Sequence, residues 1–437
     1  MGQLYPENAG RMEFGSERPL GESESPEWPR VLVVSDTCIS TAHGTGYLVL
    51  KHFSRFPAEK LANAFHDRAG TPAWPASCQF AAGHTPQKRL GVALALVPRV
   101  YNRAVRLLGL GGFSYHRPIF FEPDPGRLAE GAAAPDAVYS VAYGQYGLAL
   151  TDRVCSELPR TVPLIQYFLD YYPGRGLCRE RYVHAVIARA DELWVLTEEM
   201  AEALRPAALA YGKTPRVQPG FCMDLPATWK QLHREPGAGF RCVITGNFWQ
   251  GSMVHVVARA WRKARLALPE LAPIEWYCHP QSISRLESQV GALPPEIRPV
   301  GRFVPEEELT RQLADADLAI LPFTSGAEPE DDYARYSLPS RLTELFAAGL
   351  PVFCIAGSHT PLSHYLLRHD VGLVCSGEDE ELLAQRLIEL VGSAGTRQRL
   401  GLRARQVAEA QFELAPFQRM LYSKLGARSR SPALDAF

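Results

Sequence analysis

The chain has almost no net charge, no paired cysteines, no long apolar run and no short-period repeat, and each lack removes a class of function. Lysine and arginine number 46 against 47 aspartate and glutamate, a formal net charge of −1. That leaves no electrostatic footprint for duplex DNA or RNA, so no nucleic-acid partner is expected. The nine cysteines are scattered without a C-x-x-C pair. They read as reduced thiols of a cytoplasmic protein, not as a disulfide framework or zinc site. The start of the chain has neither the basic flank nor the apolar core of a secretory leader. No apolar stretch reaches the length of a membrane span. No carboxylate cluster has metal-ligand spacing, so neither an essential metal nor a cofactor is expected.

What is present is ample material for a core. Of 437 residues, 46% are hydrophobic and 21% charged, enough for two ordinary globular domains. Residues 1–29 are rich in Pro, Gly, Glu and Ser and read as a disordered tail. Order begins with Val31-Leu-Val-Val-Ser35, a run typical of a buried parallel strand. A loop with His43-Gly44-Thr45-Gly46 follows, then helical spacing over 47–56. Further strands are expected at 137–141, 163–168 and 193–197, with a helix at 179–190. A second series has strands at 240–245, 274–278, 297–300, 318–321, 352–355 and 372–375. Helical patterns lie between them at 253–267, 306–314, 341–348 and 380–391. Such alternation predicts an α/β protein with two doubly wound, Rossmann-like domains. Ligands of such sheets bind beyond the carboxyl ends of the strands, here in the cleft between the domains.

One stretch carries chemistry. Asp317-Leu-Ala-Ile-Leu-Pro322 feeds a polar loop, then Ser337-Leu-Pro-Ser-Arg-Leu-Thr-Glu344-Leu-Phe-Ala-Ala-Gly349-Leu-Pro351. Pro339 suits the first turn of a helix, and Gly349 and Pro351 suit its end. Free N–H groups near Leu338 and Ser340, with the Arg341 charge, can hold a diphosphate. Glu344, about 7.5 Å further along, can accept both ribose hydroxyls of the same nucleotide. Read from spacing alone, an ordinary amphipathic helix with Glu344 in solvent is as good an account.

This stretch resembles the donor signature of GT-B glycosyltransferases, the large bacterial retaining group in particular. Ala316-Asp317, Pro322, Glu344, Ala347-Ala348-Gly349 and Pro351-Val352 match it, whereas Tyr336 stands where the first acid of Glu-x7-Glu belongs. Val300-Gly301-Arg302-Phe303 resembles the strand end that holds the base, and Val217 to Asp224 the junction between domains. Gln166 to Pro173 resembles a first-domain motif, with Leu169 in place of its His. The resemblance implies a first, acceptor-side domain over 30–222 and a nucleotide-sugar domain over 223–414. It implies a helix over 415–430 that crosses back to the first domain, with a bend near Pro416 on closure. It implies a glycosyltransferase working from a nucleotide-diphosphate sugar on an unspecified hydroxyl acceptor. Its donor site would comprise Gly44, Thr45, Gly46, Asn247, Arg302, Phe303, Leu338, Ser340, Arg341 and Glu344. Asp170, Asp36 and His43 are the candidates for a catalytic base. A nucleotide-sugar epimerase, or a nucleotide-sugar-binding protein without catalysis, shares the architecture and stays open. Residues 88–117 hold basic side chains and no acid among large apolar ones. They read as a core helix with a basic face, or as a peripheral contact to an anionic membrane or to a phosphate-bearing acceptor.

Overall fold

The computed structural model describes residues 28–36, 39, 44–66, 79–83, 134–171, 177–227, 229–230, 239–248, 250–302, 304–324, 332–377 and 379–426. His43, Phe303 and the basic segment 88–117 lie outside them.

Two wholly parallel sheets organise the chain. The first comprises β1 (Val31–Ser35), β2 (Leu61–His66), β3 (Gln79–Gly83), β4 (Ala137–Ser140), β5 (Leu164–Phe168), β6 (Glu192–Val195) and β7 (Arg216–Val217), in the order 3-2-1-4-5-6-7. The second comprises β8 (Cys242–Thr245), β9 (Ile274–Tyr277), β10 (Ile297–Pro299), β11 (Leu318–Pro322), β12 (Val352–Ile355) and β13 (Gly372–Cys375), in the order 10-9-8-11-12-13. Both orders reverse direction beside their first strand, at β1/β4 and at β8/β11. Those switch points open onto the carboxyl ends of the strands. The central strands are apolar throughout because helices cover both faces; Val31, Val33, Val34, Leu318, Ala319, Ile320 and Leu321 are all buried.

The first sheet carries α1 (Gly44–His52), α2 (Gln145–Glu157), α3 (Leu177–Arg189) and α4 (Glu198–Leu209). The second carries α5 (Met253–Ala267), α6 (Pro280–Val290), α7 (Glu306–Ala314), α8 (Asp332–Tyr336), α9 (Arg341–Ala347), α10 (Pro361–His369), α11 (Glu380–Gly392) and α12 (Ala394–Gln411). Side-chain caps start several of them: Thr197 accepts from Met200 N–H, Thr360 from Ser363 N–H and Asp379 from Leu382 N–H. The last helix, α13 (Leu414–Lys424), packs Leu414, Phe417, Leu421 and Tyr422 into the core under β1 and β4.

Two sequence expectations need correction. Gly44, Thr45 and Gly46 form the first turn of α1, not a loop ahead of it, and the helix stops at His52. Glycine is tolerated there because a first turn has few intrahelical bonds to lose. The tail ends before Trp28, whose ring packs edge-on against Phe56 and Tyr422. Pro416 sits inside the first turn of α13, where a missing N–H costs nothing.

Candidate functional site

A cavity of about 260 Å³ lies between the two sheets. Thr45, Tyr47, Leu48 and Lys51 of α1 and Leu169 and Asp170 after β5 form one wall. Leu338, Ser340, Thr343 and Glu344, around the start of α9, form the other, and Phe221, Cys222 and Met223 of the connecting segment close it.

Five residues singled out in the sequence therefore meet: Thr45, Asp170, Leu338, Ser340 and Glu344. The helix that carries Glu344 runs over Arg341–Ala347, within one residue of the expected 341–348. It begins at Arg341, after Pro339, so Glu344 lies in the first turn, about 4.5 Å from the start. It ends where Gly349 takes a positive φ of 66°, a conformation a Cβ would strain. The Glu344 carboxylate makes no hydrogen bond among the described residues. Burial pushes its pKa up, and the Lys51 and Arg341 charges pull it back. An enclosed carboxylate of this kind is an acceptor in want of donors.

Arg341 turns toward the β8 switch point. Its guanidinium donates to the Thr245 carbonyl at 2.5 Å and the Asn247 carbonyl at 2.8 Å. It stands beside Gly246, in the loop where the sequence offered no Arg or Lys. The Asn247 side chain itself is exposed.

The candidate bases fare differently. The Asp36 carboxylate accepts from the backbone N–H of Tyr143 at 2.8 Å, Gly144 at 2.9 Å and Gly147 at 3.1 Å. It holds the start of α2 and is not offered to the cavity as a base. Asp170 accepts a 2.5 Å bond from the Ser337 hydroxyl, across the cleft. Arg302 pairs with Glu308 on an exposed surface and does not line the cavity. Asp317 is structural: it receives the Arg241 N–H at 3.0 Å and pairs with buried Lys230 at 2.9 Å. Tyr336 packs its ring edge-on against Tyr171, and its carbonyl accepts from Thr197.

Sequence reasoning missed Tyr47, Lys51 and Glu306. The Tyr47 hydroxyl donates to Glu306, and the Lys51 ammonium reaches the same carboxylate at 2.7 Å, joining α1 to α7 across the cleft. Tyr47 and Lys51 are four residues apart on one helix face, a spacing visible in the sequence. Nothing there marked Glu306 as their partner. Among the described residues, no group of three or more His, Cys, Asp or Glu is placed to hold a metal ion, and no helix is long and apolar enough to cross a membrane.

No protein-family model matches the chain, and no curated protein matches it in sequence. Solved structures do match in fold. HepE from Anabaena, in complex with UDP, superposes with a TM-score of 0.54 at 12% identity, covering 91% of this chain and 100% of its own. Sucrose-phosphate synthase from Thermosynechococcus elongatus superposes at 0.56 and 14%, covering 91% and 98%. Trehalose-6-phosphate synthase OtsA does so at 0.59 and 11%, again covering 91% and 98%. With both sheets matched over nearly the whole of each neighbour, the chain has the GT-B fold: two Rossmann-like domains facing across a cleft.

Proposed function

We propose that the protein is a glycosyltransferase that takes a sugar from a nucleoside diphosphate donor and passes it to a hydroxyl acceptor. The observation that carries this reading is the half-buried Glu344 carboxylate, without a hydrogen bond among the described residues, at the cavity wall. A ribose offers two adjacent hydroxyls, and one carboxylate can accept both. Arg341, one turn away, supplies positive charge for the diphosphate. In the transfer, the bond from the sugar's anomeric carbon to the diphosphate oxygen breaks and a bond to the acceptor oxygen forms. The nucleoside diphosphate leaves with the electron pair, and positive charge near it lowers the barrier. Asp170 stands at the cavity wall, placed to hold a sugar hydroxyl or accept the acceptor's proton. HepE has been solved with UDP-glucose, so UDP-sugars are the first donors to try. Arg341 does the work a divalent ion would otherwise do, and the reaction needs no metal. Activity should therefore persist in excess chelator; full loss with chelator and recovery with magnesium would contradict this.

Glu344→Ala should weaken UDP binding by about 1–3 kcal/mol with the fold intact. Unchanged affinity in that variant would remove the basis of the reading. Incubation with UDP-sugars separates the alternatives. UDP release that acceptor accelerates means transfer, an altered sugar configuration in the donor means epimerisation, and binding without turnover means a binding protein.

A further inference from the structure

The second domain is short of cations at the place where a diphosphate would lie. The segment 246–252 contains no Lys or Arg. Arg341 reaches it from α9, with two of its donors already given to carbonyls. The opposite wall holds a cation that the function has not yet used. Lys51 lines the same cavity as Ser340 and Glu344. Its side chain is 18% exposed, and its ammonium lies 4.7 Å over the Tyr47 ring.

We propose that Lys51 is a phosphate-binding cation that the first domain supplies to the nucleoside diphosphate, leaving Glu306 as it does so. This deepens the donor reading above and rests on it. Lys51 is a compact charge on a flexible four-carbon stem, so it can swing between partners in a way a forked guanidinium cannot. Its carboxylate neighbours are unequal, with Asp224 and Glu344 acting through space and Glu306 in contact. Glu306 bonds it directly, whereas Glu344 acts on it only through space and is free to take the ribose. A phosphate brought in by a ribose on Glu344 would compete with Glu306 for the ammonium, and phosphate oxygens make strong charge-assisted bonds.

The exchange has a proton signature. Glu306 is faced by Tyr47 and Lys51 from α1 and by Glu344 from α9, with Glu307 beside it on α7. Burial, then Glu344 and then Glu307, push its carboxyl up to about 7, while the ammonium 2.7 Å away favours its charged form. When Lys51 departs, that pull goes and the carboxylate takes up a proton near neutral pH. Diphosphate binding should therefore draw protons from the buffer.

The test is calorimetry of the full chain with UDP and with uridine, at pH 7 in two buffers of different ionisation enthalpy. Lys51→Met should weaken UDP at least tenfold and leave uridine within twofold, and Lys51→Arg should restore most of the loss. Proton uptake on UDP binding should appear in the wild type and vanish in Glu306→Gln. Thermal unfolding checks that each variant is folded. If Lys51→Met keeps UDP affinity while Glu344→Ala loses it, the Lys51 proposal falls and the donor reading stands. Equal weakening of UDP and uridine in Lys51→Met makes the residue structural and also overturns the proposal. If the wild type binds none of UDP, ADP and GDP, both fall.

Discussion

The two switch points share one strand order and are wired with opposite polarity. At β1/β4 a carboxylate, Asp36, takes up three backbone N–H groups at 2.8, 2.9 and 3.1 Å. At β8/β11 a guanidinium, Arg341, binds two backbone carbonyls at 2.5 and 2.8 Å. The first arrangement spends the donors an anion would need. The second leaves positive charge beside the strand ends. Identical topology therefore does not give identical sites: the first switch point uses its N–H donors within the fold, and the second holds a guanidinium.

The strongest way to break this contrast is Asp36→Ala. Three part-buried N–H groups would lose a charged acceptor, and stability should fall by about 4 kcal/mol, read by denaturant unfolding. UDP affinity of the folded protein should not change. A loss under about 1 kcal/mol would mean that Asp36 is not what holds α2.

Next in size is His52, which ties α1 to the segment between the domains. Its Nε2 lies 2.8 Å from the Gly220 carbonyl and its Nδ1 3.0 Å from the Tyr139 hydroxyl. Burial pushes its pKa down to about 4. The unfolded chain takes a proton near pH 6.5, while the native state resists until about 4. Stability from this group is thus whole above pH 6.5 and is lost as pH falls toward 4. At pH 5 the loss should be about 2 kcal/mol. His52→Gln should flatten that slope; an unchanged slope would place the acid sensitivity elsewhere. His369 of the second domain is shifted in the same direction, by burial and then by Arg368 and Arg403, so a probe in each domain separates the two contributions.

Smaller still is the loss expected from Arg341→Ala, about 1.5 kcal/mol in UDP affinity or roughly tenfold. Little change in melting temperature should accompany it. Arg341→Lys should recover only part, because an ammonium cannot span both carbonyls in a fixed fork. Full recovery would mean that charge alone matters at the second switch point.

The second domain was the more legible half. Its central strands β8, β11 and β12 are buried throughout, and β12 and β13 fall where their apolar runs do. The first domain hid β2, whose Leu-Ala-Asn-Ala-Phe-His carries weak strand preference and a buried polar Asn63. That side chain is satisfied mainly by tertiary bonds, at 3.0 Å to the Val33 carbonyl and 3.1 Å to Ser35. Glu344 is singled out by the resemblance of its stretch, since spacing alone fits a solvent-facing carboxylate equally well. Asp36 could not be separated from a base, since its partners are backbone groups more than a hundred residues away. Lys51 carries no mark in the sequence; its partner at position 306 distinguishes it.

The crossing of α13 has a consequence for the order of events during synthesis. Phe417 stacks near His52 and Trp194, and the Tyr422 hydroxyl donates to the His52 carbonyl at 2.9 Å. Beside that crossing, Met223 N–H donates to the Phe412 carbonyl at 2.9 Å and Leu414 N–H to the Met223 carbonyl at 3.0 Å. The domain that leaves the ribosome first is therefore the one completed last. It must wait, with the apolar underside of β1 and β4 uncovered, while the second domain is made. A nascent chain halted before Leu414 should show a finished second sheet and a first one that still recruits chaperones.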